Sequence, residues 1–85
     1  MSKPRLNEEW TAYVVGRMHL YRISRKDLAD KCRYTTPYLS TVLNCNKEFE
    51  SDLSKEKTKC HIMRSLDELS AEILRRYRHE YDPYS

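Results

Sequence analysis

The run Thr36-Pro37-Tyr38-Leu39-Ser40-Thr41 gathers short hydroxyl side chains and a phenol, with Arg25 and Lys26 upstream and Asn44 and Lys47 downstream. Hydroxyls donate and accept hydrogen bonds at short reach, threonine adds a methyl group, and a guanidinium offers a planar fork of donors. These groups suit recognition of a polar, anionic surface more than bond making or breaking. No catalytic set stands beside them. His19, His61 and His79 are isolated, and no Ser-His-Asp order, phosphate-binding loop or carboxylate pair occurs. Cys60 and His61 adjoin, but helix neighbours point about 100° apart and form no couple. The expectation is a non-enzyme without a cofactor.

Two short helices must position this run. Ser24 precedes a helix-forming stretch and Asp27 follows three residues on, the pattern of a capping box. Leu28, Ala29 and Cys32 then share one face, and Ala29 is small where two helices approach. A second helix begins at Thr35-Thr36-Pro37, since proline fits a first turn. Either threonine can cap it: the residue before proline disfavours helical geometry, which argues for Thr36, whereas the family pattern described next argues for Thr35. Leu39, Val42 and Leu43 form the inward stripe. Thr36, Pro37, Ser40, Thr41 and Asn44 are left outside.

Residues 23–45 resemble, without a gap, the helix-turn-helix of the phage-repressor family, the Cro/CI-like or XRE-type domains. Ile23, Ser24, Leu28, Ala29, Thr35, Leu39, Ser40, Val42 and Asn44 match the family pattern or are close substitutes, and the likeness extends in outline from Trp10 to Leu69. Three positions depart from it. Arg33 stands at a turn usually made by glycine, where a left-handed backbone is needed. Cys45 replaces a second glycine, and Arg25 replaces a glutamine that often touches DNA. The resemblance implies an all-α, lambda-repressor-like bundle of four to five helices, with the second motif helix entering the major groove of DNA.

Composition agrees with one small soluble domain spanning residues 1–85. Hydrophobic residues make up 39% and charged residues 34% of the 85, with a single glycine. No apolar run approaches the roughly 20 residues that span a bilayer, and no secretory pattern opens the chain, so a cytoplasmic protein is expected. Residues 17–47 hold seven basic and two acidic side chains, a net of +5, while residues 48–85 net −2. Positive charge thus gathers on the motif, as phosphate contact requires. Cys32, Cys45 and Cys60 are odd in number and widely spaced, which fits unpaired thiols in a reducing compartment. A zinc site from Cys45, Cys60 and His61 would lack paired ligands at short spacing, so no metal is expected.

The supporting helices follow from periodicity. Asn7 can cap a first helix with Trp10, Val14 and Met18 as its inward stripe, and Tyr13 and Tyr21 beside them. Residues 44–54 read as a loop tied down by Phe49 and Leu53. Asp52 or Ser54 can cap a last helix, about 54–78, striped by Ile62, Leu66, Leu69, Ile73 and Tyr77. At about 24 residues, or about 36 Å, it exceeds a core this small. Leu69, Ile73, Leu74 and Tyr77 are therefore expected to overhang, either as a homodimer interface or as a segment that frays or folds back on Trp10. The tail from Arg75 to Ser85 mixes basic and aromatic residues; it could touch phosphates or stack on bases, and could equally be a frayed end or a partner-binding peptide.

The expected function is a sequence-specific double-stranded-DNA-binding transcriptional regulator, a repressor of bacterial or phage type. As a dimer it would bind an inverted repeat with half-sites about 34 Å apart. Base contacts would come from Thr36, Pro37, Tyr38, Ser40, Thr41 and Arg25, with Thr36 and Thr41 foremost. Phosphate contacts would come from Arg17, Arg22, Lys26, Asn44 and Lys47. The alternative is a small helix-turn-helix protein that binds another protein, as a phage-type inhibitor of host defence or an antitoxin.

Overall fold

The computed structural model describes residues 3–81, with side chains as far as Tyr77. The described chain is all-helical, with four helices: α1 (Glu8–Leu20), α2 (Arg25–Cys32), α3 (Thr36–Leu43) and α4 (Asp52–Tyr81). No described helix is long and apolar enough to cross a membrane.

The helix starts obey local chemistry. Asn7 caps α1 by accepting from the Glu9 N–H at 2.7 Å. Ser24 caps α2 in a full capping box: its hydroxyl accepts from the Asp27 N–H at 3.0 Å, and the Asp27 carboxylate accepts from the Ser24 N–H at 3.3 Å. Such a cap contributes about 1 kcal/mol. Thr35 is the cap of α3, accepting from the Tyr38 N–H at 3.2 Å. Thr36 is therefore helical despite preceding a proline, because the cap and the Thr35 carbonyl, which accepts from Leu39 N–H at 3.1 Å, hold the first turn. At α4 neither expected residue caps. Ser51 does, its hydroxyl accepting from the Ser54 N–H at 3.1 Å and its carbonyl from the Lys55 N–H at 3.1 Å.

The helix ends share one device. Arg22, Arg33 and Cys45 follow α1, α2 and α3, and all have positive φ, at 56°, 63° and 61°. This left-handed geometry favours glycine, and a side chain there costs roughly 1 kcal/mol. The expected left-handed turn at Arg33 is present, and Arg22 and Cys45 adopt the same geometry. The one glycine, Gly16, lies inside α1, where an added Cβ meets nothing within 4 Å.

One core joins all four helices. Val14, Leu28, Leu39, Val42, Ile62 and Leu66 are fully buried, with Met18, Ile23, Ala29, Cys32 and Leu43 around them. α1 lies parallel to α4: Lys59 sits over the Trp10 ring, Arg17 bonds Asp67 and Ser70, and Tyr21 shares a groove with Ile73. That neighbour changes the fate of the overhang. Leu69 and Ile73 pack against the core of their own chain, and only Leu74 and Tyr77 stay exposed. α4 is also longer than its expected 54–78, running 30 residues, about 45 Å. The side chains of the tail 79–85 lie outside the described residues.

The N-terminal arm completes the core. Leu6 and Phe49 are buried, Pro4 C=O accepts from the Phe49 N–H at 2.9 Å, and the ion pairs Lys3–Glu50 and Arg5–Glu48 flank that bond. The pairing 3–50, 4–49, 5–48 is antiparallel in register. Phe49 is the expected tie-down of the loop. Leu53 is not, being 65% exposed, because Ser51 starts α4 early and turns Leu53 outward.

Candidate functional site

α2 and α3 are joined by only three residues, so the capped start of α3 is placed directly by the end of α2. The carbonyl of Cys32, at the last turn of α2, accepts from the His61 Nε2–H of α4 at 2.9 Å. A carbonyl only accepts, so Nε2 carries the proton in this contact. The His61 ring lies 5.4 Å from that of Tyr34, and Tyr34 meets Tyr38 edge-on at 4.9 Å. Burial pushes the Tyr34 phenol and the Cys32 thiol up from their ordinary values. This seam is packing that fixes α3 against α4.

The outer face of α3 is hydroxyl-bearing, as its sequence implies. Thr36, Pro37 and Thr41 are exposed, while Tyr38 and Ser40 are half-buried. Tyr38 is a wall of the site, since its ring is packed on Tyr34 and lies under the Lys47 ammonium at 5.8 Å. Arg25 reaches from α2 to α3, donating from Nη1 to Ser40 Oγ at 3.4 Å, a long and weak bond that leaves most of its donors free. Thr41 donates its hydroxyl proton to the Pro37 carbonyl at 3.0 Å, so in this rotamer its outward capacity is that of an acceptor plus a methyl.

The basic residues divide into two groups. Arg17 is held by α4: it donates to Asp67 at 2.6 Å and to Ser70 at 3.1 Å, and its guanidinium lies 5.9 Å from the rings of both Tyr13 and Tyr21. The Asp67 bond keeps its pKa above the ordinary value. Arg17 is thus a fastener between α1 and α4, which removes it from the set of free cations. Lys31 is likewise taken, at 2.9 Å from Glu72 and 3.8 Å from Glu68, and the Glu72 bond raises its pKa while lowering that of Glu72. Arg22, Lys26 and Arg33 are exposed and their side chains make no ion pair or hydrogen bond among the described residues; Asn44 is exposed at the C-cap of α3. Lys47 makes only ring contacts, with Tyr38 and with Phe49 at 6.0 Å.

Arg33 joins the exposed cations without having been named among the expected contacts, although its turn position and charge were both readable. A second surface lies apart from α3: an open groove of about 550 Å³ lined by Leu20, Tyr21, Arg22, Ile73, Leu74 and Tyr77. Leu20 is 74% exposed and belongs to this patch with Leu74 and Tyr77, and α1's periodicity did not single it out. Cys32, Cys45 and Cys60 are free thiols, and no group of three or more metal-ligating side chains occurs among the described residues. Compared with known proteins, the chain matches no family model, no curated protein and no solved structure.

Proposed function

We propose that this chain is a sequence-specific double-stranded-DNA-binding regulator of the repressor type, using α2–turn–α3 as a lambda-repressor-like helix-turn-helix. The observation that carries the reading is the exposed hydroxyl and methyl face of Thr36, Pro37 and Thr41, together with cations that have no carboxylate partner among the described residues: Arg25, Lys26, Arg33 and Lys47, with Arg22 at the end of α1. Thr36 and Thr41 would meet base edges and thymine methyls, with Arg25 at their flank. Arg22, Lys26, Asn44 and Lys47 would meet phosphates and fix register. The chain would act as a homodimer through the patch of Leu20, Leu74 and Tyr77, and reading an inverted repeat would require its two α3 helices to lie one DNA turn, about 34 Å, apart.

The test is selection from random duplexes by the purified chain at about physiological salt. Enrichment of an inverted repeat with half-sites one turn apart is the expected result. Weak binding that salt erases, with no enriched sequence, would sink the reading. The groove also favours a second reading, in which it receives a different protein. Light scattering separates the two, since a single-chain mass at concentrations where the duplex binds would remove the homodimer.

A further inference from the structure

The chain places arginine, not glycine, at the left-handed residue between α2 and α3. Arg33 has φ 63° and ψ 36°, and its N–H closes the end of α2 on the Asp30 carbonyl at 3.1 Å. Glycine would hold this geometry without strain. Nothing within the fold uses the side chain in return: it is exposed, and it makes no ion pair, hydrogen bond or ring contact among the described residues, even with Asp30 three positions back. Strain retained at an exposed, unpartnered charge points to a use outside the molecule. The place is suitable. Arg33 is two residues from the cap Thr35, so its Cα lies within about 7 Å of the Cα of that cap. Within the same turn, His61 of α4 bonds the Cys32 carbonyl and packs on the Tyr34 ring, which ties the backbone on both sides of Arg33 to α4.

We propose that Arg33 is a phosphate-contacting residue, its guanidinium gripping the duplex backbone beside the start of α3. The proposal rests on the duplex-binding reading above and adds to it a contact that replaces the turn's conformational ease with charge. It predicts opposite signs for two properties on one substitution. Arg33→Gly relieves the backbone and removes the charge, so the melting temperature rises by a few degrees while duplex affinity falls.

The experiment uses the full chain and a mixed-sequence duplex of about 20 base pairs, with affinity measured across a salt series. Wild type, Arg33→Gly, Arg33→Ala and Arg33→Lys are compared by binding and by thermal unfolding. Glycine and alanine variants should bind about 3- to 10-fold more weakly, with a log K against log salt slope shallower by about 0.9, the loss of one phosphate contact. Only the glycine variant should gain stability, and Arg33→Lys should keep the wild-type slope. A wild type that binds while Arg33→Gly and Arg33→Ala keep its affinity and slope would overturn the Arg33 contact alone. A wild type that binds no duplex would overturn the contact and the underlying reading together.

Discussion

The unit α2–α3 and the long helix α4 use charge in opposite ways. On α4 the carboxylates Asp67, Glu68 and Glu72 reach across to cations of α1 and α2, so charge there fastens one helix to another. In α2–α3, Lys31 alone is spent in that manner among the described residues, while Lys26 and Arg33 are exposed without a carboxylate partner. The two regions also differ in how they are held. α2 and α3 have only eight residues each, too short to be stable alone, and they depend on caps and on the core beneath them. α4 is long, and its position is set by what lies alongside. Changes among the unpaired cations of the first region should therefore separate stability from binding, whereas changes at the carboxylates Asp67, Glu68 and Glu72 of α4 should move stability alone.

The largest expected effect breaks the link between the regions. Leu28 is fully buried where α2 meets the core shared with Ile62 and Leu66 of α4. Leu28→Ala should destabilise the chain by about 2–5 kcal/mol, read as a lower urea midpoint, and abolish every activity with it. A loss under about 1 kcal/mol would mean that α2 is not seated on α4 as described. Next in size is the cap. Ser24→Ala removes one side of the capping box and should cost about 1 kcal/mol in the same measurement. Lys26→Ala, on the same helix and facing solvent, should cost nothing measurable; an equal loss from both would erase the distinction between cations that fasten and cations that wait for a partner.

What could be read in the chain follows the same division. Ser24–Asp27, Asn7 and the left-handed turn at Arg33 are legible because each depends on residues within one or two turns. The choice between Thr35 and Thr36 was open, since two local rules conflicted there, and the hydrogen bond to Tyr38 decides it. Packing of the overhang on α1 was only one of two open alternatives, and the partner named for it, Trp10, lies instead beside Lys59, while Tyr21 at the end of α1 shares a groove with Ile73, about fifty positions later. The arm that buries Leu6 was not legible, since its register with Phe49 depends on a pairing across the chain. For the candidate site, the exposed hydroxyl face was visible in the pattern. The withdrawal of Arg17 was not, because nothing near it in sequence announces Asp67.

The smallest effect sharpens the fastening role of α4 and has a defined pH window. Lys31 holds the pKa of Glu72 below the ordinary glutamate value, and Glu72 holds that of Lys31 above the ordinary lysine value. A lowered carboxylate contributes stability that is complete above the unfolded pKa, about 4.3, and is lost as pH falls through the folded value. A raised ammonium contributes below about 10.4, and its share is lost as pH rises through the folded value. The pair therefore acts between these limits, and because both groups reach water its effect is small and sensitive to salt. The difference in melting temperature between wild type and Glu72→Gln should be slight at neutral pH, fade as pH falls below about 4.3, and shrink when salt is raised. A difference that stays constant through the acid range would show that Glu72 holds α2 by packing along its methylenes, and the contrast between the two regions would then rest on surface contact instead of charge.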